Sequence, residues 1–171
     1  MARTPSNMLP LGTKAPSFTL FDTISEKHLE LSELKGSKGT VIMFICNHCP
    51  FVIHVNSVLV DLANSYSTRG IQFVAISSND VINYPQDGPE LMKQHASNNH
   101  YPFPYLYDET QDIAKAYDAA CTPDIYVFDK NLRLAYRGQL DDSRPGNGLP
   151  VTGKDLRHAL DCLVEDKDEL N

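Results

Sequence analysis

The chain has no apolar run approaching the ~18 residues that a membrane-spanning helix needs, and it has no excess of positive charge. Fifteen Lys and Arg stand against 22 Asp and Glu, a net charge of −7. That balance speaks against a nucleic-acid backbone or an anionic membrane as partner. The first stretch, Met1 to Lys14, lacks the apolar segment of a secretory signal. Lys167-Asp168-Glu169-Leu170 is followed by Asn171, so it does not read as an ER-retention signal. There is no repeat at a 20–50-residue period and no low-complexity tract. Cysteine is scarce too. Four residues, Cys46, Cys49, Cys121 and Cys162, are too few for a disulfide scaffold, and 171 residues can bury enough surface to fold without one. In a reducing compartment such cysteines are more often catalytic or metal-binding than structural. A cytoplasmic protein of one domain is the expectation.

What is present has a clear order. Residues 1–10 are polar and proline-bearing, which predicts a loose arm. Phe18 to Phe21 and His28 to Leu31 predict a β-hairpin. Thr40 to Ile45 is continuously apolar and β-branched, the pattern of a strand buried on both faces. After Pro50 the period changes: Val52, Val55, Leu59, Leu62 and Tyr66 mark one face of a helix that Gly70 can end. Ile71 to Ile76 predicts a second buried strand. A polar loop then leads to a helix starting at Pro89, and Phe103 to Tyr107 looks extended. Asp108 with Gln111 predicts a capping box for a helix through Tyr117. Ile125 to Phe128 and Leu132 to Tyr136 predict a hairpin around Asp129-Lys130-Asn131. Thr152 with Asp155 predicts the cap of a last helix, and residues 165–171 a frayed acidic tail. Strands alternating with helices indicate an α/β protein with a mixed sheet, its domain spanning residues 11–164.

Cys46-Asn47-His48-Cys49 falls where the buried strand ends and the amphipathic helix begins. A bare C-x-x-C serves zinc and redox sites alike, but this position favours redox use. At a helix N-terminus the free N–H groups and the dipole stabilise an anion, so a thiol there ionises more easily. A second sulfur one turn away can close a disulfide with little movement. His48 beside the pair can add positive charge. A closed zinc site wants four ligands, and Cys121 and Cys162 form no second C-x-x-C. His54 fits the polar face of the helix. No metal and no organic cofactor are expected.

Cys121-Thr122-Pro123-Asp124 lies just before the strand Ile125 to Phe128, where a proline is tolerated at a strand's first residue. With the cysteine pair, this Thr-Pro resembles the thioredoxin fold, whose cis-proline loop faces the redox cysteines. The longer pattern is similar to peroxiredoxin-type (AhpC/TSA, redoxin) domains. It is carried by Leu11-Gly12-Thr13-Lys14-Ala15-Pro16-Ser17-Phe18, Phe44 to Pro50, Ser78-Asn79-Asp80, Tyr105 to Gln111, and Gly138 to Pro145. The resemblance implies a thioredoxin-like α/β fold: a central mixed β-sheet flanked by helices, with an N-terminal β-hairpin extension. It implies that Cys46 is the nucleophile, that Cys49 resolves, and that Thr122 and a cis Pro123 dock the substrate beside them, with His48 in support. Three departures stand out. Ile45 takes the place of the thioredoxin Trp, and the chain has no Trp. Thr40 takes the place of the buried Asp that moves protons. The T-x-x-C of peroxiredoxins is absent, because Cys46 stands three residues before Cys49.

The expected function is thiol–disulfide exchange by Cys46 and Cys49 with a disulfide-bearing protein or small thiol, re-reduced by a system such as thioredoxin or glutathione. The alternatives are a thiol-dependent peroxidase with an antioxidant role and a thioredoxin-fold copper-binding protein, since thiolate pairs select Cu(I). Cys121 is a candidate third thiol, and Arg144 a candidate partner for the thiolate or for Asp141 and Asp142. Cys162 is expected in the core. The helix argument predicts that Cys46 is the more acidic thiol, and His48 predicts a pair more oxidising than a typical thioredoxin.

Overall fold

A computed structural model describes residues 9–166. Most of the expected arm and tail, residues 1–8 and 167–171, lies outside the described residues. Seven strands run β1 (Thr19–Asp22), β2 (His28–Glu30), β3 (Gly39–Phe44), β4 (Ile71–Ser77), β5 (Tyr105–Tyr107), β6 (Asp124–Asp129) and β7 (Leu134–Gly138). Among the described residues five α-helices accompany them: α1 (Leu31–Leu34), α2 (Pro50–Ser67), α3 (Pro89–Asn98), α4 (Asp112–Ala116) and α5 (Lys154–Val164). The strands form one sheet in the order β2-β1-β5-β4-β3-β6-β7. Among the described residues no helix is long and apolar enough to cross a membrane.

β3 is buried along its whole length, as its unbroken apolar run requires, and lies near the middle of the sheet. It pairs in parallel with β4 and antiparallel with β6. Because side chains alternate across a strand, Val41, Met43 and Ile45 join the core under α2 and α5. Ile42 and Phe44 join the opposite core, rich in aromatic rings, with Tyr117, Tyr126 and Phe128. Each fully buried aliphatic side chain there contributes roughly 1.5–3 kcal/mol. The β1–β2 hairpin forms with Phe21 opposite His28, and β1 pairs with β5. Thr40, fully buried, accepts a hydrogen bond from the Gly36 amide at 3.0 Å. A side chain at Gly36 would run into the carbonyls of Gly39 and Gly70.

Two helix starts differ from expectation. The Asp108–Gln111 capping box does not form. Asp108 spreads its carboxylate over the Ile113 and Ala114 amides and the Ser78 hydroxyl, while the Gln111 amide reaches Ser78 O. Nor do Thr152 and Asp155 form one. Gly153 is the N-cap of α5 at φ 72°, the buried Asp141 accepts the Thr152 and Gly153 amides at 2.7 Å each, and Asp155 accepts from Gln139.

Candidate active site

The chain leaves β3 at Phe44 and enters α2 at Pro50, with Cys49 as the N-cap. Proline suits this place, since its missing N–H would have no partner in the helix. Cys46 and Cys49 are both fully buried thiols, and their side chains hydrogen-bond to each other. The Thr122–Pro123 peptide bond is cis, as the resemblance implied. Its loop closes over the pair: Thr122 Oγ1 is 3.8 Å from Cys46 Sγ, and Thr122 O is 3.5 Å from Cys49 Sγ.

The loop is fixed from behind by a buried ion pair. Arg137 on β7 donates to Asp124 at 2.8 Å, with both side chains sealed from solvent, and to Asp118 O at 3.0 Å. Its guanidinium also lies over the Tyr126 ring, 4.2 Å from the centroid. Asp124 accepts the Ala120 amide in turn. A cavity of about 390 Å³ opens beside the loop, walled in part by Ile45, Lys115, Cys121 and Thr122.

The order of acidity is the reverse of the sequence expectation. The Cys49 thiol is lowered to about 5, first by its hydrogen bond with Cys46 and then by Thr122, against the cost of burial. The Cys46 thiol is pushed up by its hydrogen bond to Cys49, by burial and by the negative charge of Asp87. The physical cause is where the helix begins. Cys49 is the N-cap of α2, beside the positive end of the helix, whereas Cys46 lies three residues earlier and feels the charge of Asp87.

Asp87, in a 3₁₀ turn (Pro85–Asp87), is the residue the sequence reading missed. It is fully buried and accepts the Asn47 amide at 2.9 Å and the Asn79 side-chain amide at 2.8 Å. His48 Nδ1 lies 2.6 Å from its Oδ2. The Cys46 sulfur, a donor atom of His48 and a carboxylate oxygen of Asp87 all fall within 4.8 Å of one another. Two ligands ~2.1 Å from a tetrahedral ion would stand ~3.4 Å apart, so the 2.6 Å contact is one a proton spans. His48 therefore faces a carboxylate, and its ring stacks on Tyr84 at 5.1 Å. Tyr105 completes the wall by donating to Asn47 Oδ1 at 2.9 Å. Ser78-Asn79-Asp80 was the available signal, since Asn79 holds Asp87.

The other candidates are placed elsewhere. His54 Nε2 is 2.7 Å from the Ser143 hydroxyl. Arg144 donates to Gln139 Oε1 and to the Asp141 and Ser143 carbonyls, and not to a thiol or to the Asp141 or Asp142 carboxylates. Cys121 is half-buried with Sγ 3.8 Å from Pro123 O. Cys162 is buried on α5, 3.9 Å from His158 Nε2.

The AhpC/TSA family profile matches residues 11–137. The chain belongs to the AhpC/TSA family. An uncharacterized conserved protein from Geobacillus kaustophilus is 58% identical with a TM-score of 0.96, over 98% of this chain and 89% of that one. A hypothetical protein from Sinorhizobium meliloti is 43% identical with a TM-score of 0.95, over 99% and 91%. The thioredoxin domain of a thiol-disulfide oxidoreductase from Bacteroides vulgatus is 17% identical with a TM-score of 0.67, over 79% and 92%. That last likeness shows the fold: this AhpC/TSA protein is thioredoxin-like, an α/β protein with a mixed seven-stranded sheet flanked by helices. A search of curated proteins finds no match.

Proposed function

We propose that the chain is a thiol–disulfide oxidoreductase in which Cys46 and Cys49 cycle between dithiol and disulfide. The observation that carries this reading is the Cys49 sulfur at the N-cap of α2, hydrogen-bonded by Cys46 and faced by the Thr122–Pro123 loop. A thiol lowered to about 5 is ionised at neutral pH and can attack. Cys49 is therefore assigned the attack, and Cys46 closes the disulfide by displacing the substrate's sulfur. This exchanges the two roles that the thioredoxin resemblance implied. Disulfide-bearing proteins or small disulfides are the proposed substrates, a thiol system the proposed reductant, and a reducing cytoplasm the proposed setting.

The peroxidase alternative has one observation in its favour, since Cys49-Pro50 takes the position of the peroxiredoxin nucleophile. Two observations weigh the other way. Arg144 is engaged with Gln139 and backbone carbonyls, and no threonine stands three residues before Cys49. Parallel turnover assays decide between the substrates: reduction of a protein disulfide against consumption of hydrogen peroxide, each with and without thioredoxin reductase. Disulfide reduction that outpaces peroxide consumption is expected. Peroxide turnover that survives in Cys46→Ser, with no disulfide reductase activity in the native chain, would replace this reading with the peroxidase.

A further inference from the structure

Resting on that reading, we propose that His48 and Asp87 form the proton relay of the pair, taking the Cys46 proton as the disulfide closes and returning it as the disulfide opens. The place where thioredoxins carry a proton-moving Asp is filled by Thr40, whose hydroxyl is committed to the Gly36 amide. A carboxylate has instead been supplied from the far side of the cysteine loop. Asp87 reaches the pair from the 3₁₀ turn after β4, and Asn47 and Asn79 hold it in place.

A carboxylate sealed from water is costly unless its charge has work or a partner. Among the described residues no lysine or arginine forms an ion pair with Asp87, and the contact made is with His48. That imidazole nitrogen is buried 2.6 Å from Asp87 Oδ2, so the two groups can share one proton and pass it on. The remaining step, from Cys46 Sγ to the pair, is within 4.8 Å, a gap one water or one side-chain rotation closes.

The need for a base follows from the reaction. The Cys46 thiol is pushed up by Cys49, by burial and by the charge of Asp87, so it keeps its proton until the disulfide closes. Once Cys49 carries the substrate, Cys46 must lose that proton to attack. Closure forms the Cys46–Cys49 bond and breaks the bond from Cys49 to the substrate's sulfur, which leaves with the electron pair. The proton passes to the His48–Asp87 pair and then to the leaving thiolate. Reduction of the disulfide runs the same steps backward.

The groups facing the relay come from every element around it. Cys46 and Cys49 face it from the β3–α2 junction and Tyr84 from the loop. His95 of α3 and Tyr105 of β5 both feel the charge of Asp87, and Tyr101 feels that of Cys46. Burial lowers the His95 pKa against the pull of Asp87, and burial raises that of Tyr105.

The test separates attack from closure. The reduced chain is mixed with oxidised glutathione across a pH series, quenched in acid, and followed by mass spectrometry with peptide mapping. Formation of the glutathionyl adduct on Cys49 reports attack, and its conversion to the internal disulfide reports closure. In Asp87→Asn, attack is expected to persist while closure falls by about one hundredfold at neutral pH, in line with the ~10²–10⁴ that general-base catalysis supplies. Closure should then recover towards the native rate as the pH rises. His48→Gln, at a half-buried position, should show the same loss of closure and the same recovery. A native pH profile for closure in either variant, or a loss equal at every pH, would overturn the relay. If Asp87→Asn does not fold, the His48→Gln profile decides alone. Failure of the native chain itself to form an adduct at either cysteine would instead remove the exchange reading.

Discussion

Cys49 and Cys46 have the same chemistry and opposite environments. The pair and its helix terminus were legible from the spacing of residue types, and the Thr-Pro loop from the resemblance to the thioredoxin fold. The order of acidity was not, because it depends on the exact residue at which the helix starts, and Pro50 moves that start beyond both cysteines. Asp87 was signalled only through Asn79 of Ser78-Asn79-Asp80, which holds it, because a lone aspartate in a polar loop has no pattern of its own. The reversed order has a measurable consequence. Between about pH 5 and pH 9 the native reduced pair holds one proton where the unfolded chain holds two, since Cys49 is lowered to about 5 and Cys46 stays protonated. The unfolded state binds more protons there, so stability rises with pH. The slope is at most about 1.4 kcal/mol per pH unit, less what solvent screening removes. The contribution is complete near the unfolded thiol value and is lost as the pH falls through the folded one. Urea unfolding of the reduced native chain and of Cys49→Ser, at pH 6 and pH 8, should show a larger gain for the native chain. Equal gains would place the thiolate elsewhere.

The elements divide into those that periodicity reveals and those that long-range bonds decide. The apolar run of β3 and the i, i+3, i+4 pattern of α2 were readable because burial sets both patterns. The two capping boxes did not form as read, because Asp108 accepts amides further into α4 and the distant Ser78 hydroxyl, and Asp155 accepts from the distant Gln139. The same holds for the support of the cis-proline loop, which comes from Arg137 on a strand that follows it. Arg137→Met removes the cation buried against the Asp124 carboxylate, a loss of roughly 3–5 kcal/mol. Chemical denaturation checks this, and a loss under ~1 kcal/mol would mean the loop is held by other contacts. In α2, Leu59→Ala opens a cavity in the core behind the cysteines. It should cost about 2–5 kcal/mol, and near-neutral behaviour would mean the core there collapses freely.

At the scale of the whole molecule, one sheet sets the geometry of the site. β3 delivers the cysteine loop, its parallel neighbour β4 delivers the turn that carries Asp87, and its antiparallel neighbour β6 is preceded by the Thr122–Pro123 loop. Three consecutive neighbours in the sheet thus converge on two sulfur atoms, although their residues are separated by about forty and then thirty-five positions. The class of fold was readable from the alternation of strands and helices, but the convergence of Asp87 with the pair required the sheet order itself. Which sulfur attacks first decides between the two assignments, and trapping with single-cysteine variants measures that directly. After exposure of each reduced variant to oxidised glutathione, the adducts are located by peptide mapping. Cys46→Ser should accumulate a mixed disulfide on Cys49 that cannot close, while Cys49→Ser should leave Cys46 largely unmodified at neutral pH. Rapid adduct formation on Cys46 in Cys49→Ser, with Cys49 inert in Cys46→Ser, would contradict the account.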